Sequence, residues 1–297
     1  MAPPPLSPTL TPAEFEESIR DIRPALHRYV ARMIGSTIDA EDVVQEALVK
    51  AYASLDLLTS RSNVRGWLFR IAHNKAIDQL RRDRDQPVEL LDEYPMTDEP
   101  DQPLEQKELA ALALSVFLKL APRQRSCVIL KDVLGYSLAE ISEQLDATVP
   151  EIKAALHRGR TRLRELAPSA EASAPILDER QQALLARYVE RFNARDFDAV
   201  RAMLADEVRL DLVGRVKLVG AAEVDTHYFY NYSLVDDWRL ALGLVEGRLA
   251  ILVYDPADVS RQPAYFVLIT WDDRQVSHIR DYRYARYVMQ DAVILMS

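Results

Sequence analysis

The 297-residue chain has a single cysteine, Cys127, set in the apolar run CVIL. One thiol excludes a disulfide framework and a cysteine-based metal site, and such cysteine usage suits a reducing cytoplasm, the expected location. Cys127 itself reads as a small core residue. Long apolar runs are also missing. The longest are short and broken by charge, so no transmembrane helix and no membrane partner is expected. The opening residues, MAPPPLSPTLTP, have neither a basic n-region nor an apolar h-region; no signal peptide is expected, and residues 1–12 read as a disordered lead-in. Net positive charge is absent too. At −9 the chain is not a simple DNA-coating protein, because neutralising phosphates takes Lys and Arg.

The basic residues that are present lie unevenly. Residues 61–85 carry seven Arg/Lys against three Asp, residues 86–117 carry eight Asp/Glu against one Lys, and residues 149–166 carry five Arg/Lys against two Glu. Two basic patches split by an acidic segment favour a divided nucleic-acid footprint. A hydrophobic content of 48% is ample for packed cores, and the length allows two or three domains.

Taken in order, residues 13–34 read as a helix with Phe15, Ile19, Ile22, Leu26, Tyr29, Val30 and Met33 approximating one face, a kink at Pro24 and a stop at Gly35. Residues 39–55, DAEDVVQEALVKAYASL, read as a second helix with Asp39 as N-cap and Asp42 as the acid of a capping box. Val43, Ala47, Leu48, Ala51 and Leu55 face the core, which leaves Asp42, Gln45, Glu46 and Val49 as an outward ridge able to dock a basic partner helix. Val64–Arg84 reads as a basic helix with Asn63 as N-cap. Val64, Trp67, Leu68, Ile71 and Ala72 form one apolar stripe and Ala76, Ile77 and Leu80 another, so this helix is either buried on two faces or broken near Asn74.

Residues 86–104 are Pro- and acid-rich and read as a flexible linker, followed by a helix over 105–120. Arg123–Val133 is a further helix closed by Gly135. Ser137 to Glu140 forms a capping box stapled by Tyr136 and Ile141, and Thr148 to Glu151 forms a second box opening a helix to Leu166, with Ile152, Leu156 and Leu163 inward. Two capped, closely spaced helices, the second basic, read as a helix-turn-helix. After a small-residue linker over 167–177 come a helix from Asp178 to Asn193, a short helix over 197–204 capped by Asp196, a helix over 221–232, and strands at Val208–Val213, Val216–Val219, Trp238–Val245, Leu249–Tyr254, Ala264–Trp271 and Val276–Tyr284. That order is an α+β pattern. If this domain encloses a pocket, Asp211, His227, His278 and Asp281 are its acid/base candidates, although salt bridging with Arg280, Arg283 and Arg286 suffices to explain Asp281.

Residues 13–166 resemble the extracytoplasmic-function (ECF) sigma factors, two-domain promoter-specificity subunits of bacterial RNA polymerase. The resemblance lies in DAEDVVQEALVKAY, the W-L-x-x-I-A-x-N-x-x-x-D-x-x-R pattern at Trp67–Arg81, L-x-P-R-Q-R at Leu120–Arg125, GYSLAEISEQL and HRGRTRLRE. Residues 178–290 resemble the SnoaL-like (nuclear-transport-factor-2-like) fold in element order and in YVERFNARDFDAVRAMLADEV. The implied architecture is two all-α sigma domains, at 13–85 (region 2) and 105–166 (region 4, a helix-turn-helix), then an α+β cone over 178–297.

The resemblance implies that Asp39, Asp42, Gln45, Glu46 and Val49 bind the clamp helices of the polymerase largest subunit. It implies −10 DNA binding by Leu58, Arg65, Trp67, Arg70, His73, Asn74, Lys75, Arg81 and Arg82, with Asn74 where a flipped base is contacted and Leu58 at a position that can be aromatic. It implies −35 binding by Lys153, His157, Arg158, Arg160 and Arg162. Ala155 stands where a base-reading Arg is common, which predicts modest −35 specificity and puts most promoter choice on Val64–Arg84. The expected function is promoter-specific initiation with core RNA polymerase as partner and no enzymatic activity, cofactor or metal. The C-terminal domain is expected to act in cis, through an intramolecular contact or a small-molecule ligand. The alternatives are a ligand-responsive helix-turn-helix regulator that never joins polymerase, and a cyclase or isomerase with an accessory DNA-binding region.

Overall fold

The structure is a computed structural model describing residues 11–58, 64–82, 114–166, 178–236 and 238–296. Residues 1–10 of the lead-in, both linkers, Asn63 and most of the helix expected over 105–120 lie outside the described residues; residues 11 and 12, expected in the lead-in, open the first helix instead. The chain divides into two compact units, residues 1–171 and 172–297.

The first unit begins with α1 (Pro12–Ile34). Thr11 is its N-cap, and Thr11 and Glu14 close a capping box. Gly35 ends it at φ +83°, in the left-handed region. Next comes α2 (Thr37–Ala53). Its N-cap is Ser36, whose hydroxyl accepts the Asp39 N–H at 3.1 Å. This corrects the expected start: the helix begins two residues before Asp39, so neither Asp39 nor Asp42 caps it. Glu41, 1% exposed, is ion-paired with Arg23 of α1.

The third helix, α3 (Val64–Arg82), is unbroken at Asn74. Val64, Leu68, Ala72, Ala76 and Leu80 are buried at intervals of four. Four residues overshoot a turn by about 40°, so the stripe winds about 160° around the helix. The two apolar stripes read from sequence are one winding seam packed on α1 and α2.

The second module has a short α4 (Leu114–Phe117) and α5 (Pro122–Val128), which a π-helical turn continues through Ile129–Val133. Then come α6 (Leu138–Leu145) and α7 (Val149–Leu166). Both expected capping boxes are formed: the Ser137 N–H reaches Glu140 at 2.7 Å and the Thr148 N–H reaches Glu151 at 2.7 Å. Asp146, at φ +51°, makes the turn between α6 and α7. One hydrophobic cluster runs through both modules, from Phe15 to Leu163.

The second unit has α8 (Glu179–Asn193), α9 (Phe197–Arg201) and α10 (Ala221–Val224), continued by a π turn over Asp225–Phe229 and a last turn over Tyr230–Ser233. Asp178 and Asp196 cap α8 and α9 as expected. The strands are β1 (Leu204–Leu212), β2 (Val216–Val219), β3 (Arg239–Val245), β4 (Arg248–Tyr254), β5 (Tyr265–Asp272), β6 (Gln275–Asp281) and β7 (Ile294–Met296). They form one sheet of order β2-β1-β6-β5-β4-β3-β7, with β1 and β6 parallel and the other pairs antiparallel. Glu246 and Gly247, both at positive φ, make the tight β3–β4 hairpin. The unexpected strand is β7, where the C-terminal tail pairs with β3. The helices cover one sheet face, packing Tyr188, Phe192 and Phe229 on Leu210, Ile251, Val253, Val267 and Ile279.

Candidate nucleic-acid interface

The outer side of α2 carries the expected ridge. Asp42 and Glu46 are exposed, Gln45 is half-buried and Val49 is 65% exposed. Tyr52, one turn on and 52% exposed, extends the ridge with a second apolar side chain that the sequence reading missed. Its signal was the spacing of three from Val49. Asp39 is half-buried at the ridge's N-terminal end. Glu46 accepts from Lys75 of α3 at 3.0 Å, so the acidic ridge and the basic helix meet along one edge.

On α3, Arg65, Arg70, Asn74, Arg81 and Arg82 are exposed. Asp78 shares this side and lies 3.9 Å from Arg81, which tempers its charge. Three expected DNA contacts are placed otherwise. Trp67 is half-buried against Phe15, ring centroids 6.3 Å apart. Leu58 is half-buried and packs on the core cluster. His73 is half-buried with Nδ1 2.7 Å from the Tyr29 hydroxyl and 3.4 Å from Ser126 Oγ. Burial lowers the His73 pKa to about 4 and raises that of Tyr29, so Tyr29 donates to a neutral imidazole.

The helix-turn-helix module lies against α3. Arg65 Nε donates to the Tyr136 hydroxyl, with its guanidinium 5.2 Å from that ring's centre. Phe69 meets the same ring edge-on at 5.3 Å. Arg70 donates to the Glu143 carbonyl of α6 at 2.6 Å. Arg125, fully buried, donates to the carbonyls of Met33, Leu118 and Leu120. It therefore serves the C-terminal carbonyls of α1, a structural role for the last Arg of L-x-P-R-Q-R. The sequence marked Tyr136 only as a staple residue and did not flag Ser126 or Glu143, because a contact between segments some 50 to 75 residues apart leaves no periodicity.

Along α7, Lys153 and Arg162 are exposed and His157 and Arg158 are half-buried. Arg160 is 4% exposed and makes a two-pronged ion pair with Asp132, at 2.8 and 2.6 Å. This corrects its expected role: it is a core guanidinium and not a DNA contact. Ala155 is fully buried, so an Arg there would meet the core; its identity carries no information about −35 specificity. Thr161 and Arg164 are exposed and continue the outward side from Lys153 and His157.

In the second unit the four acid/base candidates do not converge. Asp281 is fully buried on the helix-covered face, where its carboxylate accepts the hydroxyls of Tyr228 at 2.8 Å and Tyr232 at 3.0 Å and the Arg283 N–H at 2.7 Å. Tyr232 in turn lies 2.8 Å from Tyr265 Oη. Burial raises the Asp281 pKa. Tyrosine hydroxyls and a backbone amide hold this acid, and the Arg283 guanidinium adds an electrostatic attraction of the kind expected from sequence. Asp211 and His278 fall on the opposite sheet face by strand alternation, with Asp211 3.5 Å from Lys217. His227 is exposed in the π turn that follows α10, 3.4 Å from Glu223. The sequence signal for the tyrosine cluster was the spacing of four between Tyr228 and Tyr232. A cleft of about 460 Å³ opens where β4 and β5 separate, lined by Gln181, Arg248, Thr270, Trp271 and Arg280. Among the described residues no cluster of His, Cys, Asp and Glu could hold a metal, and no helix is long and apolar enough to cross a membrane.

Two helical modules, one with an exposed basic helix and one with a capped helix-turn-helix, define a bipartite DNA-binding protein joined to an α+β unit. The sigma-70 region 2 family profile matches residues 19–86 and the sigma-70 region 4 profile matches residues 111–163. The chain is 32% identical over 298 residues to the ECF RNA polymerase sigma factor SigG of Mycobacterium tuberculosis, covering 90% of this chain and 80% of that one. The chain belongs to the ECF RNA polymerase sigma factor family. It is also similar to the crystal structure of the Mycobacterium tuberculosis ECF sigma factor SigJ, at 20% identity and TM-score 0.35, over 90% of this chain and 95% of that one. Its C-terminal part is similar to a ketosteroid isomerase-type protein from Kribbella flavida, at 21% identity and TM-score 0.27, over 35% of this chain and 76% of that one. The match to region 2 disfavours a regulator that acts without polymerase, which needs no such module.

Proposed function

We propose that this chain binds core RNA polymerase and directs promoter-specific initiation, with α2 docking on the polymerase clamp helices, α3 holding the melted −10 strand and α7 reading the −35 element. The exposed ridge Asp42–Glu46–Val49–Tyr52 beside the exposed Arg70–Asn74 side of α3 is the observation that carries this reading. An acidic surface with two apolar side chains suits a basic helix of the partner. A row of Arg with an amide suits a phosphate backbone and an unstacked base. On α7, Lys153, His157, Arg158 and Arg162 serve the duplex, mostly at phosphate. The C-terminal unit acts in cis on these steps without turning over a substrate.

Asn74→Ala, assayed with core polymerase by permanganate footprinting of the −10 region, is expected to reduce open complexes about tenfold while leaving holoenzyme assembly intact. Unchanged strand opening would refute the assignment of α3.

A further inference from the structure

We propose that the cleft between β4 and β5 is a binding site for an amphipathic anion, a flat apolar body bearing one carboxylate. The inference concerns the C-terminal unit by itself and stands independently of the DNA-binding reading.

The sheet parts between β4 and β5. The β3–β4 ladder runs to Val245↔Arg248 and the β5–β6 ladder to Asp272↔Gln275. Between them, β4 and β5 pair over Ile251↔Val267, Leu252↔Phe266 and Val253↔Tyr265 and no further. The strand edges beyond, at 248–250 and 268–271, border a cleft of about 460 Å³. Backbone N–H and C=O groups inside a protein call for partners, so a gap in the middle of a sheet calls for a guest. The volume is that of a small-molecule site.

The two sides of the cleft differ in chemistry. By strand alternation, Leu249 and Ile269 fall on the helix-covered side with Ile251 and Val267, where Leu185 of α8 and Trp271 also line the cleft. Arg248, Thr270 and Arg280 fall on the opposite side. The Arg280 guanidinium lies 5.7 Å from the centre of the Tyr282 ring, which steadies it at the mouth. Asp178, the carboxylate of the lining, is turned to the start of α8, where it accepts the N–H groups of Arg180 and Gln181 at 2.9 and 3.4 Å. The cleft therefore joins an apolar floor to a cationic mouth. Two guanidinium groups suit a carboxylate, and aliphatic walls with an indole ring suit a flat apolar body. Deeper in the same layer the space is filled: Phe192 meets Phe229, Tyr232 and Trp238 at ring-centroid distances of 5.9, 5.1 and 5.1 Å.

The test is isothermal titration calorimetry of the full-length chain with 2-naphthoate as probe and 2-naphthalenemethanol as its uncharged counterpart. The acid is expected to bind with a Kd on the order of 0.1 mM, and the alcohol at least about tenfold more weakly. Arg248→Gln/Arg280→Gln should bring the acid down to the level of the alcohol and leave the alcohol unchanged. Thr270→Trp, at an exposed position, fills the mouth and should weaken both ligands at least about tenfold. Absence of 2-naphthoate binding up to about 5 mM overturns the site. So do equal affinities for acid and alcohol, or a 2-naphthoate affinity that survives both variants.

Discussion

A residue's chemistry and its position gave different answers at several sites in this chain. Arg160 has the charge of a phosphate contact, but its side chain is paired with Asp132 inside the helix-turn-helix core. A guanidinium there keeps a carboxylate from lying buried and unpaired, and loss of such a partner typically costs 3–5 kcal/mol. His73 shows the same divergence. Its pKa, about 4, lies below the ordinary 6.5 because burial penalises the charged imidazolium. The sign follows directly. Above pH 6.5 the imidazole is neutral whether the chain is folded or unfolded. Between 6.5 and 4 the unfolded chain takes up a proton that the folded chain refuses, so stability is lost as pH falls through that window. Between pH 7 and pH 5 the parent should lose about 2 kcal/mol more than His73→Gln, measured by urea unfolding of both proteins at both pH values. Equal losses would show that His73 is not desolvated in the folded protein.

Elements were more legible than individual roles, because caps and periodicity are local. Ser137–Glu140, Thr148–Glu151, Asp178 and Asp196 all mark helix starts, and side chains reaching back to orphan N–H groups do so without tertiary help. The start of α2 was misread because Asp39 and Asp42 compete on paper with Ser36, and the register is set by packing of Thr37 and Ile38, both fully buried. Close approach of α5 and α7 depends on Gly159. A Cβ there would meet Val128 Cγ2 at 2.8 Å and the Gln124 carbonyl at 3.3 Å. Helix propensity alone would have Gly159→Ala stabilise by about 1 kcal/mol. The contact reverses that sign: the substitution should destabilise by about 1–3 kcal/mol, read from the thermal midpoint of the full chain. A raised midpoint would mean that the two helices can separate freely.

At the scale of the whole molecule, an acidic α+β unit is tied to a bipartite DNA-binding unit by a short linker of small residues. The interior acid of that unit is committed to Tyr228, Tyr232 and a backbone amide, an arrangement that organises its core. We propose that its contribution is to the control of initiation. Removing residues 178–297 should alter open-complex lifetime on a cognate promoter by at least about fivefold, the usual scale of a coupling between sites. Single-round transcription with core polymerase reads this, and equal lifetimes with equal transcript yields would remove the unit from the initiation mechanism.

The sequence by itself determined the order of elements, the two helical modules, the α+β texture of the C-terminal unit and the family. Capping boxes, apolar spacing and charge blocks are properties of contiguous residues, and the physics that acts on them is local. Tertiary structure decided which polar side chains are offered to a partner and which are spent inside. Arg125, Arg160 and Ala155 went into the core, Asp281 met two tyrosines, and Tyr136 found Arg65 across 71 residues of sequence. Those outcomes depend on which faces meet after folding, and no pattern within one segment encodes the face of another.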